Sequence, residues 1–541
     1  MPSFKQMPME PSQLTMFPVS VNDSISAEAD VRLFSDAMDA IDWSVFDSEY
    51  SQTGCPAYPP RVLCKILVYG LSKGVRSSRA LEDLVRNHRH YIFLAGGLTP
   101  DHSTISRFRK SRQDCLRLTY RNTVRMCAEA GLVLLNVTAT DGSKIQASSS
   151  RRSLYKQKRI EREMAAIDRI LAEVEEVDAA EDELYGSASG SEMPAELVDA
   201  KERKRKLQEI AKRLKESGRS SVSETESDCR IMKTTSGLRP AYNVQATVDS
   251  SEGVIVAADV IDAETDNEQL EGQMKQVEEN TGLRPDVSLA DTGYSDEATF
   301  KYLARSGQDA LLPPHMHPQE KKRNDLFASK CFVRDQGKDV LICPAGRELA
   351  FRRTVSNSSG DYRVYTAGNC RDCSFCAECV TCKVKTSRSV QVSVVAEQRD
   401  LMLARLATPE GKELYALRQR IVERVFANIK TNMGLNRFLL SGKQGVASEI
   451  WLACMAHNLM IYVRKQASAT VAAARTTIWR LRSTTLVDGR LSLSRKRWRI
   501  RPLAAQFCDS LFIAALSQRS YSPITWRKRE QVPALQSRAL S

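Results

Sequence analysis

The stretch VLLNVTATDG (Val133–Gly142), read together with AYNVQATVDS (Ala241–Ser250), GVIVAADVID (Gly253–Asp262) and DVSLAD (Asp286–Asp291), decides the fold. The first is a β-branched run closed by an acid, the pattern of a strand that leaves the core at a sheet edge. The second and third are joined by the tight turn Asp249–Gly253 and predict a hairpin beside it. Helical periodicity covers Asn267–Asn280 and Asp296–Arg305, while DVSLAD and DALLPP each predict one more short strand. The order is therefore β, ββ, α, β, α, β: three antiparallel strands, then alternating helices and strands. Such an order predicts an α/β fold built on one mixed sheet.

Working outward, the succession matches an RNase H-like mixed sheet carrying two interruptions. Residues 151–230 are highly charged, with Ile160, Met164, Ile167, Leu171 and Val174 at helical spacing and Leu207, Ile210 and Leu214 repeating it after a Gly/Ser/Pro break, which predicts a helical hairpin. Residues 318–400 hold a cysteine cluster. Upstream, 15–130 reads as a helical N-terminal segment, with Pro59 and Pro60 suited to a helix start and Ser77 and Asp101 to N-caps. Within it, His102–Lys110 places hydroxyls and the cations Arg107 and Arg109 on one short helix, as a DNA recognition helix would; packing or dimerisation is the plainer reading. The expected division is 15–130, a first catalytic-domain strand in 131–150, the hairpin 151–230, the sheet continued in 231–317, the Cys-rich insertion 318–400, further helices in 401–465 and a basic tail 466–541.

A chain of 541 residues has ample length for a large core, and 42% hydrophobic with 27% charged residues is the balance of a globular protein. MPSFKQMPMEPSQ lacks the apolar region of a secretory signal, and no uninterrupted apolar run near membrane-span length is evident, so no membrane partner and a cytoplasmic, nucleoid-associated location are expected. The net charge of +13 is wholly C-terminal: from Arg464 to Ser541, 16 Lys and Arg stand against 3 Asp and Glu. Its densest part, Arg495–Arg501 around Trp498, has the composition of a phosphate-binding arm, a solvated basic tail being the alternative.

Asp141 and Asp291 each close an apolar strand, and Glu423 lies on an amphipathic helix with Ala427 and Lys430 on its face. A lone strand-end Asp is usually a turn former. Three carboxylates converging from two strands and a helix would repel one another unless a divalent cation lay between them, and oxygen-rich ligation favours Mg²⁺ or Mn²⁺. Two such ions about 3.5–4 Å apart suit an in-line phosphodiester displacement. The long sequence separations close up once 151–230 and 318–400 are set aside.

Several motifs together carry a family resemblance: Asp141-Gly142-Ser143-Lys144-Ile145, Ile231-Met232-Lys233 with Arg239–Gln245, Ala290-Asp291-Thr292-Gly293-Tyr294, and Ile421–Lys430 followed by Arg437-Phe438. Across roughly 15–465 the chain resembles the DDE transposases of bacterial insertion sequences. The resemblance implies that Asp141, Asp291 and Glu423 form a metal-binding catalytic triad and that Lys430 holds terminal DNA. Lys144, Arg437 and the basic tail are further expected phosphate contacts. The family's Arg and Tyr, four and seven residues before the Glu, are here Gln419 and Ala416, with Arg420, Arg418 and Tyr415 displaced nearby. Arg424 stands where proline is common.

Cys343 precedes Pro344-Ala345-Gly346, and Cys370, Cys373, Cys376, Cys379 and Cys382 recur every three residues. Such spacing can supply a structural Zn²⁺ site, with free thiols as the alternative. His315 and His317 read as loop residues. The expected function is a homodimeric transposase that binds terminal inverted repeats and performs metal-dependent cleavage and strand transfer on double-stranded DNA. The rivals are a metal-dependent nuclease of the same fold and a zinc-containing DNA-binding protein whose acids have only structural roles.

Overall fold

The computed structural model describes residues 20–50, 56–150, 153–185, 195–219, 221–315, 331–335, 337–357, 360–380 and 387–487. The basic run Arg495–Arg501, Cys382 and His317 lie outside them.

Helices at Asp30–Asp39, Pro60–Ser72, Ser78–Asn87, Arg89–Ala95, His102–Ser111 and Gln113–Glu129 form the N-terminal part. Proline opens the second, while the Ser77 and Asp101 side chains accept from the amides of Ala80 and Thr104 and so start two others. The backbone leaves helical geometry at His88 and at Arg112, which separate consecutive helices.

Strand β1 (Val137–Gln146) opens the central sheet. The short strands β2 (Leu154–Tyr155) and β3 (Val222–Ser223) pair at the base of two helices, Gln157–Tyr185 and Ala195–Ser217. Their own small core contains Ile160, Leu207, Ile210 and Leu214, whose spacing predicts the hairpin, together with Tyr155 and Val222 from the short strands. The sheet then continues with β4 (Arg230–Thr234), β5 (Gly237–Asp249), β6 (Ile255–Ile261), β7 (Val287–Leu289) and β8 (Ala310–Leu311). β5 pairs antiparallel with β1, β4 and β6, whereas β7 is parallel to both β1 and β8. The result is the expected mixed α/β sheet.

The carbonyls of β6 are covered from both layers. Asn280 and Gln276, on the Gln269–Thr281 helix, donate to Val256 and Ala258, and Asn458 on the Lys443–Val487 helix exchanges two bonds with Ile255. Trp451 also donates to Ala258. Side-chain amides thus occupy groups that an exposed edge would offer to another chain. The Lys443–Ala469 stretch is long and apolar enough to cross a membrane by composition, but most of it is buried within the fold, with Ile450, Leu452, Met455 and Leu459 fully enclosed.

A second sheet, which the sequence reading does not foresee, lies in the Cys-rich region: β9 (Val333–Asp335), β10 (Val340–Ile342), β11 (Glu348–Asn357), β12 (Gly360–Ala367) and β13 (Ser389–Ser393), all antiparallel neighbours. Leu341, Leu349, Tyr365 and Val390 make its core, joined by Cys370 and Cys379.

Candidate active site

Backbone register brings two acids together. Ala139 on β1 lies opposite Leu289 on the parallel strand β7, and Asp141 and Asp291 each follow that pair by two residues. Parallel strands run about 4.8 Å apart with a side-chain period of two, so both carboxylates leave the same end of the sheet. Asp141 does not close its strand as expected: β1 runs on to Gln146 because β5 continues to pair with it.

Asp291 caps the short turn Thr292–Tyr294, accepting from the Gly293 amide at 2.7 Å. Burial is the largest influence raising its carboxyl above the usual range, with the Asp266 charge adding to it, while the Gly293 amide, Arg418 and Lys144 act the other way. Asp141 is pushed up to about 6, chiefly by burial; Arg418 opposes the shift, and the charges of Asp291 and Asp266 add to it. The cation is close: Arg418 Nη1 lies 3.1 Å from Asp141 Oδ2, and its guanidinium is near the Tyr415 ring.

Glu423 is placed differently. It is exposed on the Pro409–Ala427 helix, and its Oε1 accepts from Gln419 one turn earlier at 2.7 Å. Position 418 is 140° round the helix from 423 at 100° per residue, so the helix turns Arg418, rather than Glu423, to the strand-end aspartates. Beyond it, a π-helical turn at Asn428–Asn432 carries Lys430, which is half-buried and within electrostatic reach of Asp141, burial depressing its pKa. Among the described residues, no group of three or more His, Cys, Asp or Glu side chains stands in a metal-holding arrangement.

The expected cations separate into three settings. Lys144 and Lys430 face the aspartates. Arg107 is exposed and lines an open cleft of about 430 Å³ with Ser77, Arg79, Ser103, Ser106 and Lys110. Arg109, however, is buried: Nη1 donates to the Arg76 carbonyl at 3.2 Å, and burial lowers its pKa while Glu449 opposes. Its expected contact with DNA is therefore corrected to an internal strut, since a guanidinium enclosed by protein cannot reach a phosphate. Arg437 is exposed, but it donates to the carbonyls of Ala147 and Ser148 and clamps the end of β1.

Two residues of this region have no sequence signal. Arg418 is visible only as a displaced basic residue, and Asp266, in the loop after β6, has no strand-end or helical spacing to mark it. Among the cysteines, Cys370 and Cys379 are buried in the small core, with Cys343 and Cys376 packed against it. The zinc expected there has no assembled site among the described residues.

Two aspartates at matching positions on or just beyond adjacent parallel strands, with a cation-bearing helix beside them, define an α/β protein with a candidate acidic active site. Residues 342–463 match the family model described as a transposase DDE domain, and residues 19–111 match the transposase domain DUF772. The chain thus carries two transposase-family segments, consistent with an insertion-sequence DDE transposase. The first includes Glu423 and Lys430, the second Arg107, and Asp141 and Asp291 fall between them. No curated protein matches the chain.

Proposed function

We propose that this chain is the transposase of an insertion sequence, which binds the element's terminal inverted repeats, cleaves at its ends and joins them to target DNA. The observation that carries the reading is the Ala139–Leu289 register, which sets Asp141 and Asp291 side by side. The strand order β4-β5-β1-β7-β8, with β6 also paired to β5, is antiparallel up to β1 and parallel after it, and supports an RNase H-like catalytic domain.

The donor set suits a hard divalent cation, Mg²⁺ or Mn²⁺: carboxylate oxygens held together against their mutual repulsion. Asp141 and Asp291 would hold it, and Glu423 would join them through a rotation of the Pro409–Ala427 helix that exchanges its face for that of Arg418. Bound there, two such ions supply charge neutralisation at the attacking and leaving oxygens. In cleavage, water oxygen bonds to phosphorus as the bond to the 3′ oxygen breaks, leaving a 3′-hydroxyl. In joining, that hydroxyl attacks a target phosphate and releases a new 3′-hydroxyl. Lys144 and Lys430 neutralise phosphate next to the acids, and the serine-lined cleft with Arg79, Arg107 and Lys110 positions the duplex backbone. Two ends joined in one reaction call for a homodimer.

The test is strand transfer by the purified chain with Mg²⁺ on a duplex containing the element's end. Asp291→Asn is expected to abolish joining while leaving salt-sensitive DNA binding in place. Cleavage without joining would establish a nuclease instead, and binding with no cleavage in Mg²⁺ or Mn²⁺ a DNA-binding protein.

A further inference from the structure

Asp266 stands beside Asp141 and Asp291, against Gly142 and Gly293, on a prepared seat. Its Oδ1 accepts from Asn243 Nδ2 at 2.7 Å and Gln245 Nε2 at 2.6 Å, two buried amides on β5. Gln245 is itself held, its Oε1 accepting from the buried Tyr294 hydroxyl. Two glycines leave room for this carboxylate. A Cβ on Gly142, immediately after Asp141, would overlap Asp266 Oδ1, and one on Gly293, two residues after Asp291, would fall 3.1 Å from Asp266 Oδ2 and 2.9 Å from Asp291 Oδ1. Neither glycine has a positive φ, so the vacated volume, and not backbone conformation, is what glycine provides at both places.

An independent observation points to a ligand. Asn243 is fully buried and its Oδ1 has no hydrogen-bond partner, yet it faces the space beside Asp266 that Gly142 leaves, 2.9 Å from where a Cβ there would stand. A buried acceptor left open is costly unless a donor arrives, and the water shell of a divalent cation brings donors. The Asp266 carboxylate, whose oxygens lie against Gly142 on one side and against Gly293 with Asp291 Oδ1 on the other, suits the same guest.

We infer that Asp266 supports the divalent-cation site as a positioning residue, a third carboxylate seated by Asn243 and Gln245 beside Asp141 and Asp291. The inference rests on the metal-dependent reading above and adds a residue to it. It also gives the glycines of Asp141-Gly142 and Asp291-Thr292-Gly293 a shared purpose, namely clearance for a side chain contributed by a different loop.

The test is Mn²⁺ binding to the full chain, followed by the paramagnetic resonance of free Mn²⁺, with thermal melting in chelator as the control for folding. Asp266→Asn is expected to weaken Mn²⁺ by roughly tenfold or more, the scale on which residues supporting a metal site act, with melting in chelator undiminished because a repelling charge is removed. Gly142→Ala, which crowds the carboxylate out by another route, should weaken Mn²⁺ similarly, and the double variant should be no weaker than either alone. Asp266→Glu, which keeps the charge, should recover part of the affinity. Unchanged Mn²⁺ affinity in Asp266→Asn, alongside loss in Asp141→Asn, overturns the inference and leaves the proposed function standing. Wild-type protein that binds no Mn²⁺ overturns both.

Discussion

At the scale of single residues, the enclosure of a charged group is set by what its neighbours offer. Asp141 holds a cation partner in Arg418 and two acidic neighbours, and its raised pKa records that burial and like charge outweigh the one ion pair. Arg109 is a cation on a helix of suitable composition for DNA, yet its side chain faces the interior, because Ile105, Phe108 and Arg109 fall on the packed side. His457 shows the same balance and yields a pH prediction. Its Nε2 donates to the Gly253 carbonyl at 2.9 Å and its Nδ1 accepts from Asn428 at 2.9 Å, an arrangement that only the neutral ring satisfies. Burial, the largest influence, lowers its pKa from 6.5. Below pH 6.5 the unfolded chain therefore takes up a proton that the folded protein refuses, so this contribution to stability is present above 6.5 and lost as pH falls through the folded value. Urea denaturation between pH 7 and 5 should show wild type losing stability more steeply than His457→Gln, by up to about 1.4 kcal/mol per pH unit. Parallel slopes would contradict the assignment.

At the scale of elements, loops are held by groups far away in sequence. Glu449, buried near the start of the long helix, accepts from the Leu439 amide at 2.7 Å and from Leu440, and pairs with Arg76 at 2.9 Å. Arg76 in turn donates to the carbonyls of Gly434 and Arg437. One network thus ties the N-terminal helices to the loop that follows Lys430. Glu449→Ala strands a guanidinium and two amides, and should cost about 3–5 kcal/mol in chemical denaturation; a loss below about 1 kcal/mol would mean that water replaces the carboxylate. The strands bearing Asp141 and Asp291 were legible because β-branched periodicity is local. The reach of β1 beyond Asp141 was not, since it depends on the length of its partner β5. The second sheet has no clear local signature, because in ELAFRRTVSN and GDYRVYTA the apolar residues fall in adjacent positions and do not keep a period of two.

At the scale of the whole molecule, charge is distributed unevenly. The excess of Lys and Arg lies after Arg464, while the candidate site holds acids with only a few facing cations. DNA binding should therefore weaken as salt rises, and a chain ending at Val487 should show a shallower dependence of log affinity on log salt, the slope dropping by about 0.9 for each phosphate contact removed. An unchanged slope would assign the phosphate contacts to residues up to Val487 alone. The α/β succession and the helical pair after β1 follow from the amino-acid order alone, because each is written in the spacing of neighbouring residues; the reading of Asp141 as the end of its strand does not hold, since β1 runs on to Gln146. Only the tertiary structure decided that Arg418 meets Asp141, that Asp266 lies beside the aspartates, that Arg109 is enclosed and that Glu423 turns to Gln419. Those outcomes depend on side chains brought together from distant elements and on the rotation of each helix against the sheet, for which no local spacing is a record.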